Sequence, residues 1–339
     1  MSPPNLILIA GREHRFDCTG YAGHPIVKTP NLDALAQGGA WFVSAEAAAG
    51  SVADSAADAV EAVLDRGELA RLKAAGYHLG YAGPPGGVLD AFTSVQTAPL
   101  PGAASAHTEY AAWLASQGLQ DPASEWGGDG IAKAPSSYRE NFGALRSALP
   151  ESAHVTEWLG AQAVAFLRSA LEPFCLVVCF TRPGEPYDPP AMRERAYDSS
   201  SVPLPADCVL PVSPEDAARY TRFDFSAMTA EKLAHILTHY YAGITAVDQQ
   251  LGRILSTLQS RGLTRNVIAY TALGGELAGS RGLVGGGGPD EDPILKRVPL
   301  VVAGAQGLAR GMHEGPFNTG ELLARLTSAT LDGAWSPEG

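Results

Sequence analysis

The sequence predicts an α/β protein with a doubly wound, mostly parallel sheet flanked by helices. Apolar runs without alternation, at residues 6–10 and 174–180, indicate strands buried on both faces. Residues 155–171 and 230–259 instead repeat their apolar positions every three or four residues, as amphipathic helices do. Because the loops of such a sheet gather at the carboxyl ends of its strands, we expect any functional site there.

The remaining elements follow from local signals along the chain. Thr29 is a predicted N-cap, Pro30 fits the first helical position, and Gly38 and Gly39 end that helix. Residues 88–150 lack sustained periodicity and are predicted to be an insertion or long loops within a single domain spanning residues 1–339. The other predictions are an alanine-rich helical segment at 45–75, strands at 78–82, 266–271 and 298–303, and a final helix at 319–331.

Composition narrows the class of protein. Hydrophobic residues make up 45% of the 339 residues, which is enough for a sizeable core. The net charge of −12 disfavours nucleic acid and anionic membrane as partners, and no apolar run approaches the length of a bilayer span. Cys175 and Cys179 lie roughly 13 Å apart on the predicted strand, too far to form a disulfide. We therefore expect a reduced, cytoplasmic protein.

Several segments together resemble type I sulfatases, a group within the alkaline phosphatase superfamily. Residues 20–36 are similar to the amino-terminal signature of that family, and residues 240–255 are similar to its long helix. The other matching segments are 4–9, 69–77, 174–190 and 297–302. The matches run in family order over most of residues 4–331, and they imply the sulfatase fold and hydrolysis of sulfate esters or related phosphate and phosphonate esters.

The same resemblance implies a catalytic site that this sequence lacks. The family nucleophile, a Cys or Ser oxidised to formylglycine, aligns with Val52, and the motif's arginine aligns with Ala56. The metal-binding positions carry Arg12, Glu13, Leu273 and Gly274, of which Glu13 alone offers a carboxylate. The groups that hold sulfate are replaced by residues 84–86, Gly184 and a stretch within 285–288. We therefore expect no bound metal or other cofactor and no sulfatase activity.

Three functions remain open. The first is a non-catalytic sulfatase-like protein, a pseudoenzyme that acts as a binding, partner or regulatory subunit. The second is a diverged ester hydrolase that uses Glu13, Asp17 and Glu276 in a rebuilt site with Ca²⁺ or Mg²⁺. The third is a small-molecule binding module that has kept the pocket without turnover. The resemblance also implies that the family's small carboxyl-terminal subdomain is truncated or missing here. Its loss should expose an apolar face that a partner usually covers, so we expect a homodimer or a heteromer with an active sulfatase-like paralogue.

Overall fold

The computed structural model describes residues 3–48, 56–101, 108–126, 128–193, 195–220 and 223–335. In these ranges eight strands form one sheet in the order β4-β3-β5-β1-β6-β7-β2-β8. The strands are β1 (Asn5–Glu13), β2 (Ala40–Glu46), β3 (His78–Gly83), β4 (Ser94–Thr97), β5 (Phe174–Cys179), β6 (Asn266–Gly274), β7 (Val301–Ala303) and β8 (Gly311–Asn318).

Ten α-helices surround this sheet in the described ranges. They are α1 (Pro30–Gly38), α2 (Ala56–Val63), α3 (Arg66–Ala74), α4 (Glu109–Ser116), α5 (Ser136–Glu140), α6 (Val155–Ser169), α7 (Pro214–Tyr220), α8 (Ala230–Ser260), α9 (Pro293–Lys296) and α10 (Leu322–Leu331). Within the part of the chain that the structure describes, no helix has the length and apolar character needed to cross a bilayer.

The sheet is mostly parallel, which confirms the predicted fold class. β1 lies at its centre and pairs in parallel with β5 and β6, so that Leu8 lies opposite Val177 on one side and Ala269 on the other. Only β7 runs antiparallel to its neighbours in the described sheet. The carboxyl ends of β1, β5, β6 and β3 therefore meet at one edge.

Alternate residues of the central strand feed two separate cores. Leu6 and Leu8 belong to the core beneath α2, α3 and α10, whereas Ile7 and Ile9 belong to the core beneath α1, α6 and α8. Because both faces of β1 are buried, residues 6–10 form an uninterrupted apolar run in the sequence. A third cluster packs the first half of α8 against the loops at the carboxyl ends of the strands.

The start of α1 matches the prediction in position but not in mechanism. Thr29 occupies the N-cap position, yet its side chain makes no capping hydrogen bond. Its hydroxyl instead accepts from the Gly20 backbone N–H and donates to Asp33. Asp248 on α8 supplies the cap, because its carboxylate accepts from the backbone N–H of Leu32 at 2.8 Å and from Asn31. The cap is therefore a tertiary contact between α1 and α8.

Three strands were missing from the sequence-based assignment. The predicted helical segment at 45–75 was correct for α2 and α3, but β2 enters its first residues. The edge strands β4 and β8 were also missed, and the strand predicted at 298–303 is confined to β7. β4 lies inside the segment 88–150 and pairs with β3, so part of that segment belongs to the main sheet.

Candidate functional site

The candidate site is built on Arg12 and Glu13, the last two residues of β1. Glu13 lies opposite Gly274 of β6, and the backbone N–H groups of Arg12 and Glu13 donate to carbonyls of the loop after β5. Both side chains are buried. The Arg12 guanidinium contacts Glu13 Oε1 at 2.8 Å and donates to the Glu185 carbonyl at 2.7 Å. Strand pairing therefore fixes a buried ion pair at this edge.

The carboxyl group of Glu13 fills the space between two glycines. A Cβ atom at Gly184 would overlap Glu13 Oε2, and one at Gly286 would lie 2.6 Å from Glu13 Cδ. Gly184 also has a φ of +122°, a backbone conformation that side chains with a Cβ rarely adopt. Burial raises the pKa of Glu13, although the neighbouring Arg12 opposes this shift. Glu13 thus occupies volume in which longer side chains at 184 and 286 would otherwise lie.

Glu276 brings a second buried carboxyl group to the same place. It follows β6, and its Oε1 accepts hydrogen bonds from the Tyr187 hydroxyl at 2.7 Å and from the Gly285 backbone N–H. Burial raises the pKa of Glu276 to about 7, and the nearby Glu13 acts in the same direction. Its Oε2 has no hydrogen-bond partner among the described residues. The group is therefore able to hold or release a proton near neutral pH.

Asp17 is held in an ion pair on the loop after β1. Its carboxylate contacts Arg15 at 2.7 and 3.0 Å, and 37% of the side chain is exposed. Arg15 also donates to the carbonyl of Leu277 and to Ser280, so the pair ties the β1 loop to the loop after β6. In these contacts Asp17 fixes the loop, and no described contact brings it to Glu13 or Glu276.

The other positions that align with the family's metal ligands, Leu273 and Gly274, supply no ligand for a divalent cation. Leu273 is a buried core residue, and Gly274 has no side chain. Glu13 is the single carboxyl group at the four aligned positions, and the Arg12 guanidinium places a positive charge beside it. A divalent cation would need several oxygen ligands there. Among the described residues no three His, Cys, Asp or Glu side chains are grouped to hold a metal. Val52 lies outside the described residues, and Ala56 is the first residue of α2.

Sequence reasoning missed the tyrosines that organise this site. The Tyr240 hydroxyl donates to the carbonyl of Glu13 at 3.0 Å and accepts from the backbone N–H of Arg15 at 2.9 Å. Tyr187 contacts Glu276 from the proline-rich loop. The helical spacing of Tyr240 predicted a core residue, and nothing in the sequence indicates where its hydroxyl group points.

A buried ion pair between Arg182 and Asp188 braces the proline-rich loop and was likewise not predicted. Arg182 contacts the two carboxylate oxygens of Asp188 at 2.7 and 3.2 Å. His154 lies 2.8 Å from the Asp188 carbonyl, and burial lowers the pKa of this imidazole to about 4. The available signal was the presence of opposite charges, Arg182 with Glu185 and Asp188, within one short proline-rich stretch.

Comparisons with known proteins agree with this architecture. A sequence model of the sulfatase family matches residues 69–331, so the chain belongs to the sulfatase family. An arylsulfatase of Clostridium perfringens is 25% identical over 97% of this chain and 74% of its own length. A choline-sulfatase of Rhizobium meliloti is 30% identical over 48% of this chain and 32% of its own length.

A solved structure shows the same likeness at the level of the fold. The phosphonate monoester hydrolase of Agrobacterium radiobacter superimposes with a TM-score of 0.73 at 25% identity, over 99% of this chain and 78% of that chain. The fold therefore agrees with the family membership that the sequence model shows.

Proposed function

We propose that this chain is a catalytically inactive member of the sulfatase family that acts as a binding, partner or regulatory subunit. The observation that carries this proposal is the placement of Glu13, which neutralises Arg12 and fills the space between Gly184 and Gly286. No cofactor is part of the proposal. A cytoplasmic location and protein partners are also proposed, because the net charge of −12 disfavours polyanionic partners.

Electrostatics supports the absence of ester hydrolysis. The transition state for transfer of a sulfuryl or phosphoryl group is anionic, and enzymes stabilise it with positive charge aimed at the developing oxyanions. Here the buried positive charge of Arg12 is balanced by Glu13, and Glu276 adds a second carboxyl group. A bound sulfate ester would meet the carboxyl groups of Glu13 and Glu276 where the reaction requires cations.

One observation favours the alternative, a diverged hydrolase. The raised pKa of Glu276, about 7, is suited to general acid or base catalysis near neutral pH. In that alternative Glu13, Asp17 and Glu276 serve a rebuilt site with Ca²⁺ or Mg²⁺. Glu276 is wholly buried, however, and its Oε1 already accepts two hydrogen bonds, so the inactive subunit is the better supported function.

The deciding experiment measures metal content and turnover on the same preparation. Purified protein is analysed for bound metals and assayed on an aryl sulfate, a phosphate diester and a phosphonate monoester, beside an active arylsulfatase as the positive control. We expect substoichiometric metal and rates equal to those of a Glu13→Gln, Glu276→Gln double variant. Stoichiometric metal, together with turnover that the double variant loses, would establish the rebuilt hydrolase instead.

A further inference from the structure

The buried charges near the carboxyl ends of β1 and β5 cancel in pairs. Arg12 contacts Glu13 at 2.8 Å, and Arg182 contacts the two carboxylate oxygens of Asp188 at 2.7 and 3.2 Å. All four side chains are buried. Glu276, the other buried carboxyl group of the site, accepts its hydrogen bonds from a tyrosine hydroxyl and a backbone N–H. Without the Glu13 carboxylate, the site would therefore contain one buried positive charge in excess, which is unfavourable because water screens it poorly.

The Arg12 guanidinium has an anchor that does not depend on Glu13. Arg12 lies in β1 at the centre of the sheet, and its Nη1 atom donates to the carbonyl of Glu185 at 2.7 Å. Its Nη2 atom contacts Glu13 Oε1, whereas its Nε atom has no hydrogen-bond partner among the described residues. If the Glu13 carboxylate were absent, the guanidinium would keep this anchor and would offer Nη2 and Nε as donors to another anion.

Two glycines define the space around the Glu13 carboxylate. A Cβ atom at Gly184 would overlap Glu13 Oε2, and one at Gly286 would lie 2.6 Å from Glu13 Cδ and 2.8 Å from Cγ. Neither position therefore admits a side chain while Glu13 is present. The atoms of Glu13 beyond Cβ are one methylene group and one carboxylate, which together match acetate. Truncation of the side chain at Cβ should thus leave a cavity of the size of acetate beside the guanidinium.

We propose that Arg12, Gly184 and Gly286 form a binding site for a small carboxylate, and that the side chain of Glu13 is the ligand that occupies it. A group tethered at its own site has a high effective concentration, so Glu13 excludes free anions from the native chain. The contact is therefore autoinhibitory, because the fold contains an anion site and keeps it closed. This inference rests on the proposed function, since it names the group that closes the inactive site.

The test truncates Glu13 and supplies the missing atoms as a free anion. Glu13→Ala lacks the atoms of acetate, and Glu13→Gly lacks those of propionate. With ionic strength held constant by sodium chloride, about 100 mM acetate should lower the equilibrium constant for urea unfolding of Glu13→Ala on the order of tenfold. Propionate should have the larger effect on Glu13→Gly. The wild type should respond to neither anion, because its own carboxylate occupies the site.

Two controls separate the binding of an anion from the filling of a cavity. Acetamide has the size of acetate without its charge, so it should not stabilise Glu13→Ala. Glu13→Gln keeps the space between the two glycines filled, so acetate should not stabilise this variant. The proposal is wrong if acetamide acts as acetate does, if Glu13→Gln responds as Glu13→Ala does, or if neither truncated variant folds in the presence of its matched anion.

Failure of this inference can be told apart from failure of the proposed function. Turnover of an ester by the wild-type chain would overturn the proposed function, whereas the anion titrations of Glu13→Ala and Glu13→Gly measure binding alone. If the wild type is inactive and neither truncated variant is stabilised by its matched anion, the proposed function stands and the autoinhibitory contact does not.

Discussion

At the scale of single residues, Glu276 makes the stability of the protein depend on pH. Its pKa is raised from 4.5 to about 7 in the folded chain, so the folded state binds a proton more tightly than the unfolded state. The resulting stabilisation is fully present below pH 4.5 and is lost as the pH rises through about 7. Over this range the loss amounts to about 3 kcal/mol.

Replacement of this carboxyl by an amide should remove that pH dependence. In Glu276→Gln the side-chain oxygen can still accept from Tyr187 and Gly285, but the group no longer titrates. Urea unfolding at pH 5 and pH 7.5 should therefore show a smaller fall in the free energy of unfolding for the variant than for the wild type. Glu140→Gln, at an exposed position, should behave as the wild type does. Identical pH dependence in Glu276→Gln and wild type would mean that Glu276 has an ordinary pKa.

The residues of the site were predictable from the sequence only as separate positions. Glu13 and Glu276 were named because they align with functional positions of the family that the sequence resembles. Their shared environment was not predictable, because Gly184 and Gly286 approach Glu13 from loops about a hundred residues apart in the chain. Short-range patterns carry no information on such contacts.

At the scale of elements, strands buried on both faces were predicted, whereas the half-buried strand β2 and the edge strands β4 and β8 were missed. β1, β3, β5 and β6 are apolar runs because helices cover both sides of them. β8 contains two glycines and a proline and is mostly exposed, and β4 has only four residues. Their strand conformation depends on the neighbouring strand rather than on local propensity.

The cap that Asp248 provides for α1 should contribute measurably to stability. Asp248→Ala leaves the buried N–H of Leu32 without its acceptor, and we expect a loss of about 2 kcal/mol in the free energy of unfolding. The matched control is Asp65→Ala, which removes the exposed cap of α3 and should cost about 1 kcal/mol or less because water can replace the carboxylate. Urea denaturation measures both losses. A smaller loss for Asp248→Ala than for Asp65→Ala would contradict the tertiary cap.

At the scale of the whole molecule, one sheet joins the beginning and the end of the described chain. β1 lies between β5 and β6 at the centre, and β8, which is late in the sequence, pairs with β2, which is early. Removing β1 would therefore divide the sheet and take residues out of both cores. That residues 1–339 form a single domain stays a prediction, which an unfolding experiment can test.

A single domain of this kind should unfold in one cooperative transition, and its tryptophans can test this at both ends of the sheet. Trp335 packs near Phe42 of β2, whereas Trp113 of α4 and Trp158 of α6 contact each other. We therefore expect fluorescence and far-ultraviolet circular dichroism to give the same urea midpoint in two variants. One variant lacks Trp41 and Trp335, and the other lacks Trp113, Trp126 and Trp158, with phenylalanine at each position. If the two ends are separate folding units, the fluorescence midpoint will differ from the circular dichroism midpoint in at least one variant, and the single-domain prediction will be wrong.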